Sequence, residues 1–457
     1  MSRPGGGVKP PADYTEGSVL GAVARMGLPS MIGFAATSVY DIVNMLWVSR
    51  LPGAPVAAIT FFFPFYWLLS SVNQVAGSGS VAMISRRYGE RDYAGAEAAI
   101  KDAILLKVLL ALAVGLPGNL ILAQGLRLVG TTPEAWDQAM AYGQVMLLGL
   151  AANFSSYTMF TALRSVGEPR WSMVLMLCGV LLNVVLDPLL IFGLGPLPAL
   201  GVRGAAIASI IAYTCTSIGG LVIFISGRGN VRVRLRGGPP FSWRRMGRML
   251  AIGLPSGLSS FSFSLGRTVL MPWIAVYGTA VVAAYGVAMR LAGFGIMLIV
   301  GMGLGLSALI GQTLGAGKQE RTWAVALRSL QFGAGAMAIY GTLLLIGAPW
   351  IARAFFPGGP ELEATITTLR VLALGLPFNG LGIMLDMTCS GAGETRVPLA
   401  FNLLHTWVLQ VPGVYLVARV LELPYAAVWW AITLALAIPP LIFWQYFRTR
   451  RWMQRAV

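Results

Sequence analysis

Three observations predict an all-α polytopic membrane protein of about twelve transmembrane helices, built as two parallel six-helix repeats around a central cavity. The 457-residue chain is 56% hydrophobic and 11% charged, with a mean hydropathy of +0.73, against roughly 25% charge in a soluble domain. Apolar stretches of about 20 to 30 residues recur along it, each long enough to cross a hydrocarbon core of about 30 Å as a helix. They lack the alternation of barrel strands. The third observation is a repeat: GLPS at Gly27 to Ser30 returns at Gly253 to Ser256, an offset of 226.

Hydropathy places the first six spans near 19–48, 55–84, 99–123, 138–163, 171–193 and 202–226. The second six fall near 249–277, 281–311, 325–350, 364–389, 397–420 and 424–447. The resulting organisation is a disordered cytoplasmic tail (1–18), a first lobe (19–226), a basic cytoplasmic linker (227–248), a second lobe (249–447) and a basic cytoplasmic tail (448–457). Nothing of size remains for a soluble domain. The first apolar run is too long, and its flank too long and weakly basic, for a cleavable signal.

The net charge of +16 records topology rather than affinity for nucleic acid. With a cytoplasmic N-terminus, most Lys and Arg fall on cytoplasmic segments, including Arg86, Arg87 and Arg91, the cluster from Arg228 to Arg248, Lys318 and Arg321, and Arg448 to Arg455. That is the positive-inside pattern for an even number of helices with both termini inside, and such residues can also contact anionic lipid heads. Cys178, Cys215 and Cys389 lie within spans at unrelated spacings, so they predict neither a disulfide framework nor a metal site.

The repeat extends through several spans in register. Trp47 corresponds to Trp273, Gly77 to Gly303, Gly79 to Gly305, Gly89 to Gly315, Asn153 to Asn379, and Gly167-Glu168 to Gly393-Glu394. Six helices per repeat return the chain to its starting side, so the halves are parallel and related by an axis along the membrane normal. Such lobes enclose a cavity near the midplane and alternate its access by rocking. Prolines inside spans (Pro64, Pro188, Pro255, Pro272, Pro377, Pro412) free backbone carbonyls and permit bending, although proline and glycine are common in membrane helices generally.

The functional signal is polar. Asp41 lies within the first span, with Thr37 and Asn44 about one turn to either side on the same helix face. In the fifth span, NVVLDPLLIFG sets Asn183 and Asp187 four residues apart, and Pro188 frees the carbonyl of residue 184. Asn153 and Ser209 are placed to complete a ring. Intramembrane carboxylates mark ion or substrate pathways, and two acids among amides and hydroxyls can hold a proton or Na⁺. The plainer readings are that Asp41 caps a broken helix or pairs with an internal Arg, and that Asp187 is solvated at a helix end.

The second half departs from this pattern. The positions equivalent to Asp41 and Asp187 are Arg267 and Gly413. Arg267 follows the serine-rich stretch Ser256 to Ser264, while Arg290 and Asp386 lie in spans eight and ten. An internal Arg–Asp386 ion pair is the simple expectation; contact with an anionic or amphipathic substrate is the alternative. His405, beside Asn402, is expected to be packed rather than to relay protons. Met297, Met302, Phe61, Phe62, Phe63, Trp67 and Gln74 are candidates to line an adaptable cavity, or lie in the core or face lipid. VGMGLG, Val300 to Gly305, superficially resembles a phosphate loop but has no preceding strand. With no Walker sequence and no metal-ligand cluster, neither enzymatic activity nor a cofactor is expected.

Four motifs carry a family resemblance: GLPS in both halves, LRSVGEPR from Leu163 to Arg170, the run from Asn183 to Ser209, and ALIGQTLGAGK from Ala308 to Lys318. With the twelve-span plan, they resemble the multidrug and toxic compound extrusion (MATE) family. The resemblance implies a secondary antiporter that exports organic cations and other drugs in exchange for H⁺ or Na⁺. Asp41, Asn183 and Asp187 match the first-lobe cation site of one branch, and Ser209 stands where a hydroxyl residue is often found. Another branch carries second-lobe acids; Arg267 argues against such a site here, while Asp386 keeps it open.

The expectation is therefore a proton-coupled efflux antiporter of the inner membrane, with Na⁺ as the second choice of coupling ion. Its partners are drug-like small molecules and membrane lipids, and it acts as a monomer. A lipid-linked precursor flippase and an uncoupled channel-like module are the alternatives.

Overall fold

The computed structural model describes residues 13–193, 198–234 and 236–454. The expected disorder of residues 1–12, residue 235 of the linker and the last three residues of the basic tail lie outside the described residues. Every regular element described is helical. The first half comprises α1 (Val19–Val48), α2 (Pro55–Gly89), α3 (Tyr93–Leu120), α4 (Leu122–Leu128), α5 (Pro133–Leu148), α6 (Leu150–Ser165), α7 (Pro169–Phe192) and α8 (Val202–Ile225). The second comprises α9 (Trp243–Ala275), α10 (Thr279–Gly315), α11 (Gln319–Phe355), α12 (Pro360–Gly391), α13 (Arg396–Leu403), α14 (Val411–Tyr415) and α15 (Tyr425–Arg448). Wide π-helical turns at Leu404–Gln410 and Leu416–Val420 join α13 to α14 and continue the same span.

Local chemistry sets the helix starts. Ser18, Asp92 and Ser242 accept hydrogen bonds from the first-turn amides of α1, α3 and α9, and proline begins α2, α5, α7 and α12, where its missing N–H costs nothing. Among the described residues, ten helices are long and apolar enough to cross a membrane without a break; the bent pairs α3–α4 and α5–α6, each counted as one span, make twelve. Those bends, of 69° and 52°, fall at Ile121 and Gly149, not at a helix-interior proline. Helices run unbroken through Pro64, Pro188, Pro255, Pro272 and Pro377. At Gly149 a Cβ would collide with the side chain of Ile210 on α8, so the bend and the missing side chain together let α8 close in.

The lobes meet through contacts related by the repeat: α1 packs on α10, as α2 packs on α9, and α2 crosses α10. At the crossing, a Cβ on Gly89 would overlap the carbonyl oxygen of Gln312, and one on Gly315 would overlap that of Arg86. Gln312 and Arg86 are themselves equivalent positions, so this is one contact made twice. Gly79 against Met249 and Gly305 against Met26 repeat the arrangement further along. Backbones this close exclude any side chain and seal the lobes together at the end where the linker runs.

Two further devices brace that end. Linker residues are pinned to α3. Buried Glu97 accepts from the Arg234 backbone N–H at 2.7 Å and from its guanidinium, and buried Asp102 accepts from Arg245 Nε at 2.6 Å and from the Ser242 N–H. Residues 13–17 are not a loose tail, contrary to the expectation for 1–18. Arg321 donates to the carbonyls of Tyr14, Glu16 and Gly17, Lys318 to Thr15 and Glu16, and Arg91 pairs with Asp13. Charged donors on the loops at this end satisfy carbonyls that would otherwise be left to water.

Two outcomes test this packing. Gly253→Val places a branched side chain where even a Cβ would overlap the Val75 carbonyl, and is expected to lower the thermal unfolding midpoint in detergent by an overpacking cost of about 1–3 kcal/mol. Asp102→Ala strands Arg245 and is expected to expose the linker to limited trypsin digestion; an unchanged cleavage pattern would show that the linker is held by other contacts.

Candidate functional site

In the first lobe the site is assembled from α1, α7 and α8. Tyr40, on the buried face of α1, accepts a hydrogen bond from Asn44 Nδ2 one turn later at 2.7 Å. Its hydroxyl lies 3.4 Å from Ser209 Oγ on α8, and Ser209 itself donates to the Ala205 carbonyl at 3.1 Å. Tyr40 is thus left with its own proton to donate, and the adjacent carboxylate is Asp187.

Asp187 is 0% exposed, and neither of its carboxylate oxygens has a hydrogen-bond partner within normal geometry. Asn183, one turn earlier on α7 and 4% exposed, also has an unpartnered Oδ1. Three acceptor oxygens therefore lie together out of solvent, with one tyrosine hydroxyl as the neighbouring donor. Such a donor-poor cluster is costly in isolation and suited to taking up a proton or a small cation.

Asp41 does not pair with Asp187. It is exposed and shares no hydrogen bond with Asp187, because one residue of helical rotation turns it off the Tyr40 direction. Two tyrosines stand in the same region: Tyr142 lies within electrostatic reach of both acids, and Tyr213 of Asp41. Thr37 does not join the ring either, since its hydroxyl bonds the Phe34 carbonyl at 2.8 Å on its own helix. Asn153, at the start of α6, has no side-chain hydrogen bond among the described residues. The tyrosines were missed at the sequence level, although Tyr40 precedes Asp41 directly and stands four residues before Asn44.

A separate polar cavity of about 90 Å³ lies between the lobes. Gln74, Gly77, Tyr157 and Thr161 line it from the first lobe; Ser256, Ser259, Ser260, Ser307, Asp386 and Ser390 line it from the second. Asp386 Oδ1 accepts from Ser390 Oγ at 3.0 Å. The expected Arg–Asp386 ion pair is absent among the described residues: Arg267 and Arg290 are both exposed and neither comes within ion-pair distance of Asp386. Arg267, 24 residues into α9, sits toward the far end from Asp386, near the C-terminal end of α12, so the helices hold the charges apart. Of the remaining candidates, Phe61 packs on the first-lobe core, and Met297 is half-buried on α10 outside the cavity lining. His405 lies in the π-helical turn, its Nδ1 3.4 Å from Thr406 Oγ1 and its Nε2 buried without a partner.

Two lobes of matching helices with a polar cavity between them form a plan that known proteins share. The MatE family profile matches residues 29–189 and 255–416, two segments whose starts are separated by the 226-residue offset of the internal repeat. The chain belongs to the MATE family. It is a multi-span membrane transporter of a family of multidrug efflux proteins, and not an enzyme.

Its relatives include the FAD transporter of Shewanella oneidensis, 27% identical over 85% of this chain and 86% of that protein. The multidrug export protein MepA of Staphylococcus aureus is 26% identical over 84% of each. Among solved structures, a MOP superfamily transporter from Pyrococcus furiosus, described as having a binding pocket of reverse polarity that suggests a different function, superposes with a TM-score of 0.89. It is 26% identical and covers 97% of this chain and 98% of its own. An outward-facing multidrug resistance MATE transporter superposes with a TM-score of 0.86 at 27% identity, over 96% and 97% of the two chains.

Tyr40→Phe removes the one hydroxyl next to Asp187. It is expected to reduce MATE-type drug export several-fold, measured as accumulation of a fluorescent substrate in cells expressing equal amounts of protein; export at the unaltered level would show that the hydroxyl is dispensable.

Proposed function

We propose that this MATE protein is a secondary active antiporter that exports amphipathic or cationic organic compounds in exchange for H⁺ by alternating access, with Na⁺ as the second choice of coupling ion. The observation that carries this reading is Asp187, fully buried with both carboxylate oxygens unpartnered beside the free Oδ1 of Asn183. An ionised carboxylate so placed is strongly disfavoured, whereas a proton on Asp187 neutralises it and lets it donate to Asn183. A cation would bind the same oxygens. A single buried carboxylate with no other acid converging on it favours the proton; among the described residues no three His, Cys, Asp or Glu side chains converge.

Coupling then follows from geometry. Tyr40 and Asn44 on α1 are tied to α8 and face α7, so a change of charge at Asp187 alters what holds α1 in place. α1 also forms half of the lobe contact with α10, so its position bears on how the lobes sit together. Asp41, exposed on the same helix, is a second acid at which a proton can be exchanged. The positive-inside distribution of Lys and Arg supports a cytoplasmic position for both termini and the linker and an inner-membrane location, and the two lobes within one chain support action as a monomer in contact with membrane lipids.

Flux in proteoliposomes tests the reading. An imposed pH gradient is expected to drive uptake of a cationic dye by the unaltered protein, and Asp187→Asn to reduce gradient-driven uptake at least about tenfold, a loss of roughly 1.4 kcal/mol of coupling, while leaving protein yield unchanged. Asp41→Asn is expected to slow the same flux. Dye movement that ignores the pH gradient, and an imposed Na⁺ gradient as well, would establish an uncoupled pore.

A further inference from the structure

Two cations are buried in the first lobe beside the cavity. Lys107 on α3 is 0% exposed and its Nζ has no hydrogen-bond partner; Arg164, near the end of α6, is 1% exposed, with one guanidinium nitrogen unpartnered. Among the described residues the guanidinium donates to Ser172 Oγ alone, at 3.4 Å. Neither forms an ion pair among the described residues. Aromatic faces are their substitutes for a counter-ion: Lys107 Nζ lies 4.8 Å from the Tyr157 ring centroid and Arg164 Cζ 5.9 Å from that of Phe34.

The cavity wall is thin at this place. A Cβ at Gly77 would stand 3.5 Å from Gln74 Oε1 and 3.9 Å from both Lys107 Nζ and Tyr157 Cε1. Gln74, Gly77 and Tyr157 all line the cavity, so the glycine leaves the ammonium separated from it by little more than the tyrosine edge. The repeat-equivalent positions of Lys107 and Arg164 are Gly333 and Ser390. Positive charge is therefore specific to the first-lobe wall, facing Asp386 and the serines of the second. An unpaired ammonium and guanidinium from two helices, next to a phenol, form a donor set suited to a phosphate group.

Building on the transport reading above, we propose that Lys107 and Arg164, reached past Gly77 and Tyr157, form a recognition subsite for a phosphate monoester carried by an aromatic cargo that enters between the lobes. The headgroup of an anionic lipid has the same chemistry and is separated from a soluble cargo by the experiment.

Riboflavin 5′-phosphate and riboflavin, which share the ring and differ in the phosphate, are titrated by flavin fluorescence against the full chain in detergent. The unaltered protein is expected to favour the phosphorylated flavin at least about tenfold. Lys107→Gln and Arg164→Gln are expected to abolish that preference and Lys107→Arg to retain it. Gly77→Ala, whose methyl meets only ordinary contacts, should fold normally and weaken the preference. Competition by short-chain phosphatidic acid at matched concentration assigns the subsite to a lipid headgroup, and lack of competition assigns it to a soluble cargo; either result upholds phosphate recognition. Equal binding of the two flavins by the unaltered protein, or an undiminished preference in Lys107→Gln, overturns the proposal. Restoration of Lys107→Gln by Asp386→Asn also overturns it, because the lysine would then serve a cross-lobe ion pair. Since binding needs neither membrane nor gradient, the outcome is independent of whether the protein exchanges drug for protons.

Discussion

The structure depends on the backbone contact made twice at the lobe interface, Gly89 on the Gln312 carbonyl and Gly315 on the Arg86 carbonyl. In a membrane, apolar burial gives little drive for helices to associate, and close packing at small residues takes its place. A pair of identical contacts about one axis joins the lobes at one end without any large interlocking side chain. A joint of this type can be strong when formed and still separate cleanly, which a transporter that rocks its halves requires. The pinned linker and the clasped residues 13–17 reinforce the same end.

Above that joint, duplication supplied one scaffold and divergence distributed the charge. The first lobe carries Asp41 and Asp187 toward one end and Lys107 and Arg164 toward the other; the second carries Arg267 where Asp41 would be, and Asp386 one turn from the equivalent of Arg164. Each of the buried members lacks a full set of partners or is satisfied by a single serine. The acids serve ion exchange in this account, and the bases serve cargo.

Much of this was legible in the sequence. Spans were visible because a hydrocarbon core demands long apolar runs, and the repeat because glycines at lobe contacts cannot be replaced. The bends at Ile121 and Gly149 were hidden, since neither residue interrupts an apolar run as a proline would. Asn183, Asp187, Asn44 and Ser209 were found as polar residues in apolar helices, but their bonding hinges on Tyr40, which hydropathy counts as apolar. The expected Arg–Asp386 pair was wrong because pairing by charge type ignores depth: Arg267 and Asp386 lie toward opposite ends of their spans. Lys107 and Arg164 carry no pattern that marks them in the sequence, and only the three-dimensional packing shows that they are enclosed.

The account rests most on the claim that the first-lobe cluster holds a proton that cargo displaces. The direct measurement is proton release from purified protein in weakly buffered, Na⁺-free detergent solution on addition of a cationic drug. The account predicts a saturable release that follows drug binding and disappears when Asp187 is replaced by Asn. Saturable drug binding with no release, or a release that requires Na⁺, would contradict it.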